Sequence, residues 1–391
     1  MENRALKRAR FVFYLLGLVS LFADIVYEGG RSISGAYLKE LGSPPVGPAL
    51  VGFGEFIGYA LRFISGLIAT LFGSSKVIWS FTILGYCITA FSIPLLGVVS
   101  SWSIATMLYV LDRVGKGLRA PSRDVVVAEV SSNIGLGKGF GIHELLDQLG
   151  AFIGPLVIVF VLTNWGYRAG FLTLAIPGII AVGLVLFSYI LYPQLRSMST
   201  TEGENGKLFH AIGRDFKLYI IASSFFALGF MHWTIASYYL KSTGALSDYE
   251  IGLGYAIAMI VDALVAVPLG YLFDKVGVKT FIIPPILSLT FISLILFAPR
   301  ELTILCVIPW GIIACYEESV MRAALASILE PSKRPFGYGL FGLIYGVMWA
   351  VGGYIYSNLF SSTLYVLLYT LITNLLSLML YLKIIIQRNL L

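Results

Sequence analysis

The chain has 391 residues, 58% of them hydrophobic and 12% charged, with a mean hydropathy of +0.87. Soluble domains carry roughly 25% charged residues, so a water-soluble fold of two or three domains is excluded for want of ionic surface. Cys87, Cys306 and Cys315 are odd in number and lie in apolar runs, which excludes a disulfide framework. Neither they nor the three histidines show the spacing of a zinc site or metal cluster.

An apolar run of about 20 residues spans the hydrocarbon as a helix. Twelve such runs are predicted, at 11–39, 46–72, 76–97, 101–120, 137–163, 168–192, 216–240, 249–273, 279–298, 301–325, 336–360 and 364–387. Turn residues separate them, as in Gly42-Ser43-Pro44-Pro45 and Pro331-Ser332-Lys333-Arg334-Pro335. The first run follows Arg4, Lys7, Arg8 and Arg10 in the manner of a signal peptide. It is too long for one, contains Asp24 and lacks a small-residue cleavage site, so it reads as a retained helix. The expectation is an all-α integral membrane protein of twelve transmembrane helices.

With the N-terminus inside, most of the 27 Lys and Arg fall at cytoplasmic helix ends and loops. That is the positive-inside bias, and it predicts that both termini are cytoplasmic. The net charge of +6 and the pI near 9.0 therefore need no nucleic-acid partner. The long polar stretch 193–215 follows six spans and precedes six, so it reads as a linker. The expected domains are an N-terminal six-helix bundle (1–192), a cytoplasmic linker (193–215) and a C-terminal six-helix bundle (216–391).

An internal repeat supports that division. The segment Gly66 to Lys76 closes the second span and Gly270 to Lys279 closes the eighth, 204 positions later. Arg123 to Ala128 recurs as Arg322 to Ser327. Gly270, Asp274, Lys275, Gly277 and Lys279 resemble the loop motif G-x-x-x-D-R/K-x-G-x-R/K of the major facilitator superfamily. Arg113-Val114-Gly115-Lys116-Gly117 resembles its helix-four motif, and Gly150 to Pro155, with Gly154 before the proline, resembles its helix-five antiporter motif. The resemblance covers nearly the whole chain. It implies two pseudo-symmetric six-helix bundles, a gating role for the loop motif and a coupling role for Arg113. Thr70 stands where the first-half motif usually has Asp, so the resemblance places the inner latch on Asp274. Read from the residues alone, Lys275 and Lys279 serve equally as topology signals. Gly150, Gly154 and Pro155 serve equally for tight packing or a kink.

Charges inside the spans are costly, on the order of 2.5–3.5 kcal/mol each on insertion scales. The first span holds Asp24, Glu28 and Arg31 on one helical face, and the second holds Glu55 and Arg62. Three carboxylates against two guanidiniums leave one acid short of a fixed cation, able to bind and release protons. The alternative is a static ion-pair network holding the two helices in register. In the second half, His232 and Asp262 fall near mid-membrane on successive helices, as a proton relay, a cation site or simple packing groups. Glu317 and Glu318 lie toward the inner end of the tenth span, with Trp310 seven residues before Glu317. They suit an organic cation, or an inner gate in which Arg119 meets Glu318. His143, Glu144 and Asp147 read as acids and a base near the start of the fifth helix, suited to capping it. Asp112 adjoins Arg113, which reads otherwise as a snorkelling cytoplasmic Arg. Tyr27, Tyr59, Trp233 and Tyr345 are cavity-lining candidates.

The leading functional expectation is a secondary active transporter, a monomer in the lipid bilayer of the cell membrane, working by alternating access. No phosphate-binding Gly-x-x-x-x-Gly-Lys-Ser/Thr segment occurs, so the expected energy source is protons rather than ATP, with no cofactor. The helix-five resemblance implies export of an amphiphilic or cationic organic solute, as in drug/proton antiporters. The alternatives are a proton-driven uptake permease for a sugar, organic anion or other metabolite, and metal-ion efflux through Asp24, Glu28, His232 and Asp262. A membrane-embedded enzyme or sensor ranks last, since no Ser/His/Asp set or soluble domain is present.

Overall fold

A computed structural model of the chain describes residues 2–72, 74–131, 136–195, 213–329 and 334–389. The helices in chain order are α1 (Glu2–Ser32), α2 (Ser34–Glu40), α3 (Val46–Phe72), α4 (Ser75–Leu95), α5 (Trp102–Ser131), α6 (Leu136–Thr173), α7 (Ala175–Leu191) and α8 (Arg214–Gly229). They continue as α9 (Trp233–Ser242), α10 (Asp248–Val276), α11 (Ile283–Phe297), α12 (Arg300–Thr303), α13 (Val307–Cys315), α14 (Met321–Ile328), α15 (Arg334–Leu359) and α16 (Thr363–Asn389). No strand occurs among the described residues.

The all-helical build follows from the solvent. Within hydrocarbon every backbone N–H and C=O needs an internal partner, and a continuous helix supplies one. Nine stretches of the described helices are long and apolar enough to cross a membrane, and two of them, Ile142–Leu191 and Asp248–Phe297, run to 50 residues. Each of those two is long enough for two passes. Together with α5, whose charges keep it out of that count, they give the twelve crossings expected. Gly166 (φ +77°) turns the chain inside the first of the long stretches, a left-handed conformation that only glycine adopts without strain.

By packing, the chain forms two units: Met1–Ile33 with Ile57–Glu202, and Ser34–Phe56 with Gly203–Leu391. In the first unit α1 packs chiefly on α6 and α7, and α4 on α5. Its apolar core joins Val12, Phe13, Leu16 and Val19 of α1 to Ile78 and Trp79 of α4, Val126, Val127 and Val130 of α5, and Ala181 and Val185 of α7. In the second unit α8 packs on α15 and α16, α10 on α13, and α2 on α9. The segment Ser34–Phe56 thus groups by packing with helices it precedes by more than 150 positions. Of the expected linker, residues 196–212 lie outside the described residues, as does the side chain of Thr70.

Two irregularities mark the second unit. The backbone is extended at Phe230 and His232, so α8 and α9 form one broken crossing. A break leaves carbonyls without helical donors, and the surroundings supply them. The Gly229 carbonyl accepts from Ser288 Oγ (3.0 Å), Tyr356 Oη (2.8 Å) and Asn374 Nδ2 (3.1 Å), and the Leu228 carbonyl accepts from Tyr369 Oη (2.8 Å). The second irregularity is a π-helical turn, Tyr316–Val320, between α13 and α14. Such turns occur often at functional positions, and this one carries Glu317 and Glu318.

Candidate functional site

In the first unit a charged cluster forms where α1, α5 and α6 pack. Glycines bring the helices together: a Cβ on Gly154 would come 2.5 Å from the Ile25 carbonyl oxygen and 2.8 Å from the Gly29 nitrogen. Gly85 and Gly115 do the same between α4 and α5, and Gly58 and Gly117 between α3 and α5. Gly150 and Gly154 therefore pack α6 against α1, and Pro155 lies buried within α6. This spacing lets the polar face of α1 look directly at α5 and α6.

Asp24 is partly buried, and the charges acting on it are Asp147 of α6, Lys116 and Arg119 of α5, and Glu28 one turn along α1. Glu28 pairs with Arg31 at 3.6 Å, and Arg113 with its neighbour Asp112 at 3.7 Å. Ser20 Oγ donates a short hydrogen bond to Asp147. The buried ring of Tyr27 collects three cations: Lys116 Nζ lies 3.8 Å from its centroid, the Arg113 guanidinium 4.3 Å and the Arg31 guanidinium 6.0 Å. Arg119 donates to Thr89 Oγ1 (2.6 Å) and lies over the Tyr86 ring at 4.8 Å, both on α4.

These contacts redraw the sequence expectation in two ways. Lys116 and Arg119 of α5 act on Asp24, and Arg62 on α3 lies over its own helix neighbour Tyr59 at 5.8 Å. Glu55, also on α3, is half-buried and belongs by packing to the second unit. The acids of α6 do not cap it, because α6 starts at Leu136, seven residues before His143. His143 is buried, with Arg123, Asp147 and Asp124 as the charges acting on it, and Arg123 pairs with Asp124 at 2.8 Å.

The second unit holds the remaining candidates. His232, at the α8–α9 break, is buried edge-on against Trp349 with ring centroids 5.8 Å apart. Its Nε2 fills the space a Cβ on Gly52 or Gly353 would take, 2.3 and 3.0 Å away. Asp262 on α10 is buried beside Cys315, with which it shares a hydrogen bond. Tyr345 Oη donates a short hydrogen bond to Glu317, and Phe341, Tyr345 and Trp349 continue as ring contacts along α15. Trp310 packs among Phe230, Trp233 and Tyr255. Glu318 is exposed.

The loop-motif residues sit at the end of α10. Asp274 and Lys275 are exposed two positions and one position before its last residue, so the helix dipole does not favour Asp274 there. Gly277 caps the helix at φ +60°, which explains glycine at that place. Gly270 has open space where a Cβ would stand, and Gly66 only ordinary contact with Pro121, so neither serves close approach among the described residues.

Sequence reasoning did not foresee the Tyr27 convergence, the Ser20–Asp147 contact or the donors around Gly229. The first had a signal, since Arg113 and Lys116 are three apart and share a helical face. The others depend on which helices become neighbours.

Comparison with known proteins identifies the family and the fold. The sequence profile of the Major Facilitator Superfamily matches residues 16–240 and 218–388. An uncharacterized protein of Mycobacterium tuberculosis is 34% identical over 359 residues, covering 89% of this chain and 86% of its own length. An uncharacterized MFS-type transporter of Methanocaldococcus jannaschii is 28% identical over 353 residues, covering 85% and 84%. Among solved structures, a mutant of the nucleoside transporter NupG superposes with a TM-score of 0.78 at 13% identity, over 94% of this chain and 99% of that one. A POT family transporter in complex with a thioalcohol-conjugated peptide gives 0.70 at 15% identity, over 96% and 95%. At such identities these two speak for the fold alone.

Proposed function

This chain belongs to the Major Facilitator Superfamily, and from that premise we propose that it is a proton-coupled secondary transporter of a small organic solute, with Asp24 as the coupling carboxylate. That it is a transporter rather than an enzyme follows from the family. The proton coupling rests on one observation: the charges of a second acid, Asp147 of α6, and of two bases, Lys116 and Arg119 of α5, act on Asp24 of α1. Charges removed from bulk water interact more strongly than they do in solution. Adding or removing one proton therefore redistributes every pairing in the cluster. A static network needs no such sharing, since each acid is held best by one dedicated base.

The cycle in this reading is alternating access around the two units, with a single chain sufficient and both termini cytoplasmic. The resemblance of the helix-five motif favours export, while the packing of Gly150 and Gly154 on α1 suits either direction. A second reading has its own support. Glu317, on the π turn beside Tyr345 and its aromatic neighbours, suits an amphiphilic organic cation.

The test is solute flux in proteoliposomes across a panel of dyes, sugars, organic acids and divalent metals, with and without an imposed pH gradient. The Asp24→Asn and Glu28→Gln double variant is expected to lose the dependence on the gradient. Flux that keeps that dependence in full overturns the coupling role of Asp24.

A further inference from the structure

We propose that the proton carried by Asp24 travels to and from the cytoplasmic end of the first unit through Asp147 and His143 of α6, which act as a relay. The inference rests on Asp24 as the proton site and adds the route by which that site is loaded and emptied.

The first argument is the register of α1 against α6, which run side by side in the same direction. A Cβ on Gly17 would come 2.5 Å from Leu146 Cδ1, one on Gly150 3.0 Å from the Asp24 Cβ, and one on Gly154 2.5 Å from the Ile25 carbonyl oxygen. Ser20, one turn before Asp24, donates to Asp147, three residues before Gly150. Asp147 therefore stands about one turn nearer the helix starts than Asp24, and His143 one turn nearer again, at about 6 Å per four residues. The line descends toward Leu136, where α6 begins. That end is the one the positive-inside bias places in the cytoplasm.

The second argument is that the line holds buried polar atoms. His143 and Tyr86 are 3% and 2% exposed. Neither ring nitrogen of His143 nor the Tyr86 hydroxyl has a hydrogen-bond partner among the described residues. Atoms in that position cost stability unless water serves them. Asp24 and Asp147 keep some accessible surface, so water-sized space adjoins both. Water there completes a hydrogen-bonded path. An imidazole suits its last step, since it takes a proton at one nitrogen and gives one up at the other.

The third argument is which charges meet along the line. Asp24 is acted on by Asp147, Lys116, Glu28 and Arg119, and His143 by Arg123, Asp147 and Asp124. Asp147 is common to both, as its place between them requires. Arg123, His143 and Lys116 act on Asp147 itself, and Arg123, Arg119, Asp147 and Asp24 on Tyr86. The other charges of these helices are engaged beside the line. Glu28 pairs with Arg31, Asp112 with Arg113 and Asp124 with Arg123. Glu129 accepts from Tyr192, exposed Glu144 accepts from Gln148, and Arg62 of α3 lies over Tyr59.

In the transfer itself, the O–H bond of protonated Asp24 breaks and one forms on Asp147. Asp147 passes its proton to one nitrogen of His143, and the proton on the other nitrogen leaves to water. Tautomeric exchange restores the ring. Loading runs the same steps in reverse, with no change of oxidation state and no co-reactant.

The test uses the full chain in lipid vesicles and needs no solute. A light flash releases protons from 2-nitrobenzaldehyde, and time-resolved infrared spectroscopy follows the carboxylic C=O band that is lost in Asp24→Asn. His143→Ala and Asp147→Asn are each expected to slow the rise of that band at least tenfold. The final size of the band is expected to stay the same in His143→Ala. His143→Gln, which fills similar space without titrating, is expected to be as slow as the alanine variant. Added imidazole is expected to restore most of the rate to His143→Ala, which a merely structural histidine would not allow. Leu145→Ala, on the exposed side of the same helix, is expected to leave the rate as it is.

An unchanged rate in either His143 variant, or a slowing in His143→Ala that imidazole does not relieve, overturns the relay. Those outcomes leave the proton role of Asp24 standing. If the unaltered chain shows no band that Asp24→Asn removes, the proton role falls, and the relay with it.

Discussion

Gly150 stands so close to Asp24 that a methyl group on it would come 3.0 Å from the Asp24 Cβ and 2.4 Å from the Leu21 carbonyl oxygen. The separation of α6 from α1 at the charged cluster is thus set by the absence of a side chain. Gly150→Ala is expected to destabilise the protein by about 1–3 kcal/mol, the usual cost of overpacking, because the clashing atom is backbone and cannot rotate away. Gly154→Ala is expected to do the same against Ile25. Gly183→Ala on α7, where a Cβ meets nothing within 4 Å, is expected to be neutral or slightly stabilising. Thermal melting in detergent distinguishes the three, and equal melting temperatures would refute the packing role.

The bond from Tyr345 to Glu317 gives a second prediction. Hydrogen bonds to charged groups contribute about 1.5–3 kcal/mol, so Tyr345→Phe is expected to lower stability by that order. Tyr338→Phe removes a bond to the Arg322 carbonyl at an exposed place (3.0 Å), and little change is expected. Denaturation of the two variants side by side checks the difference.

A third prediction concerns the α8–α9 break. The Gly229 carbonyl has three donors but two lone pairs, so the loss of one leaves it satisfied. Asn374→Ala or Tyr356→Phe alone is expected to cost about 0.5–1.5 kcal/mol. Their combination is expected to cost more than the two added, because only then is Ser288 left to cover the carbonyl. Additive losses in a double-mutant cycle would show that the donors act independently.

The sequence made the membrane crossings legible because hydrocarbon imposes a simple rule on length and apolarity. It made Asp24, Glu28 and Arg31 legible as one face because helical periodicity is local. It did not reveal that Lys116 and Asp147 act on Asp24, since which helices adjoin is a tertiary fact carried by glycines whose partners lie elsewhere. The same limit applies to Ser34–Phe56, which belongs to the first half in chain order and packs with the second unit. The capping assignment for His143, Glu144 and Asp147 failed for another reason. The span is expected from 137 and the helix starts at Leu136, so His143, Glu144 and Asp147 lie beyond its first turn, where the free N–H groups that a cap serves are already bonded within the helix.

The grouping of Ser34–Phe56 supplies the last prediction. Ser34 Oγ donates to Thr234 Oγ1 (3.0 Å), and Tyr238 Oη donates to the Ser43 carbonyl (2.7 Å). Lys241 lies 3.4 Å from Glu40 and 2.7 Å from Asp248. A Cβ on Gly35 would fall 2.0 Å from the Thr234 carbonyl oxygen and 2.5 Å from the Tyr238 nitrogen, both backbone atoms. The chain enters this segment from α1 of the first unit and returns to that unit within α3. A transport cycle that moves the units must therefore pull α2 off α9 or bend the chain near 33 and 56. Cysteines at Ser34 and Thr234, in a background with Cys87, Cys306 and Cys315 changed to Ala, are expected to cross-link under mild oxidation and to stop solute flux, with recovery on reduction. Gly35→Val is expected to act oppositely, loosening α2 so that amides of 34–45 exchange at least tenfold faster with deuterium. A cross-linked protein that still transports at its full rate would mean that α2 stays on α9 throughout the cycle, and the motion would then have to be taken up within α3.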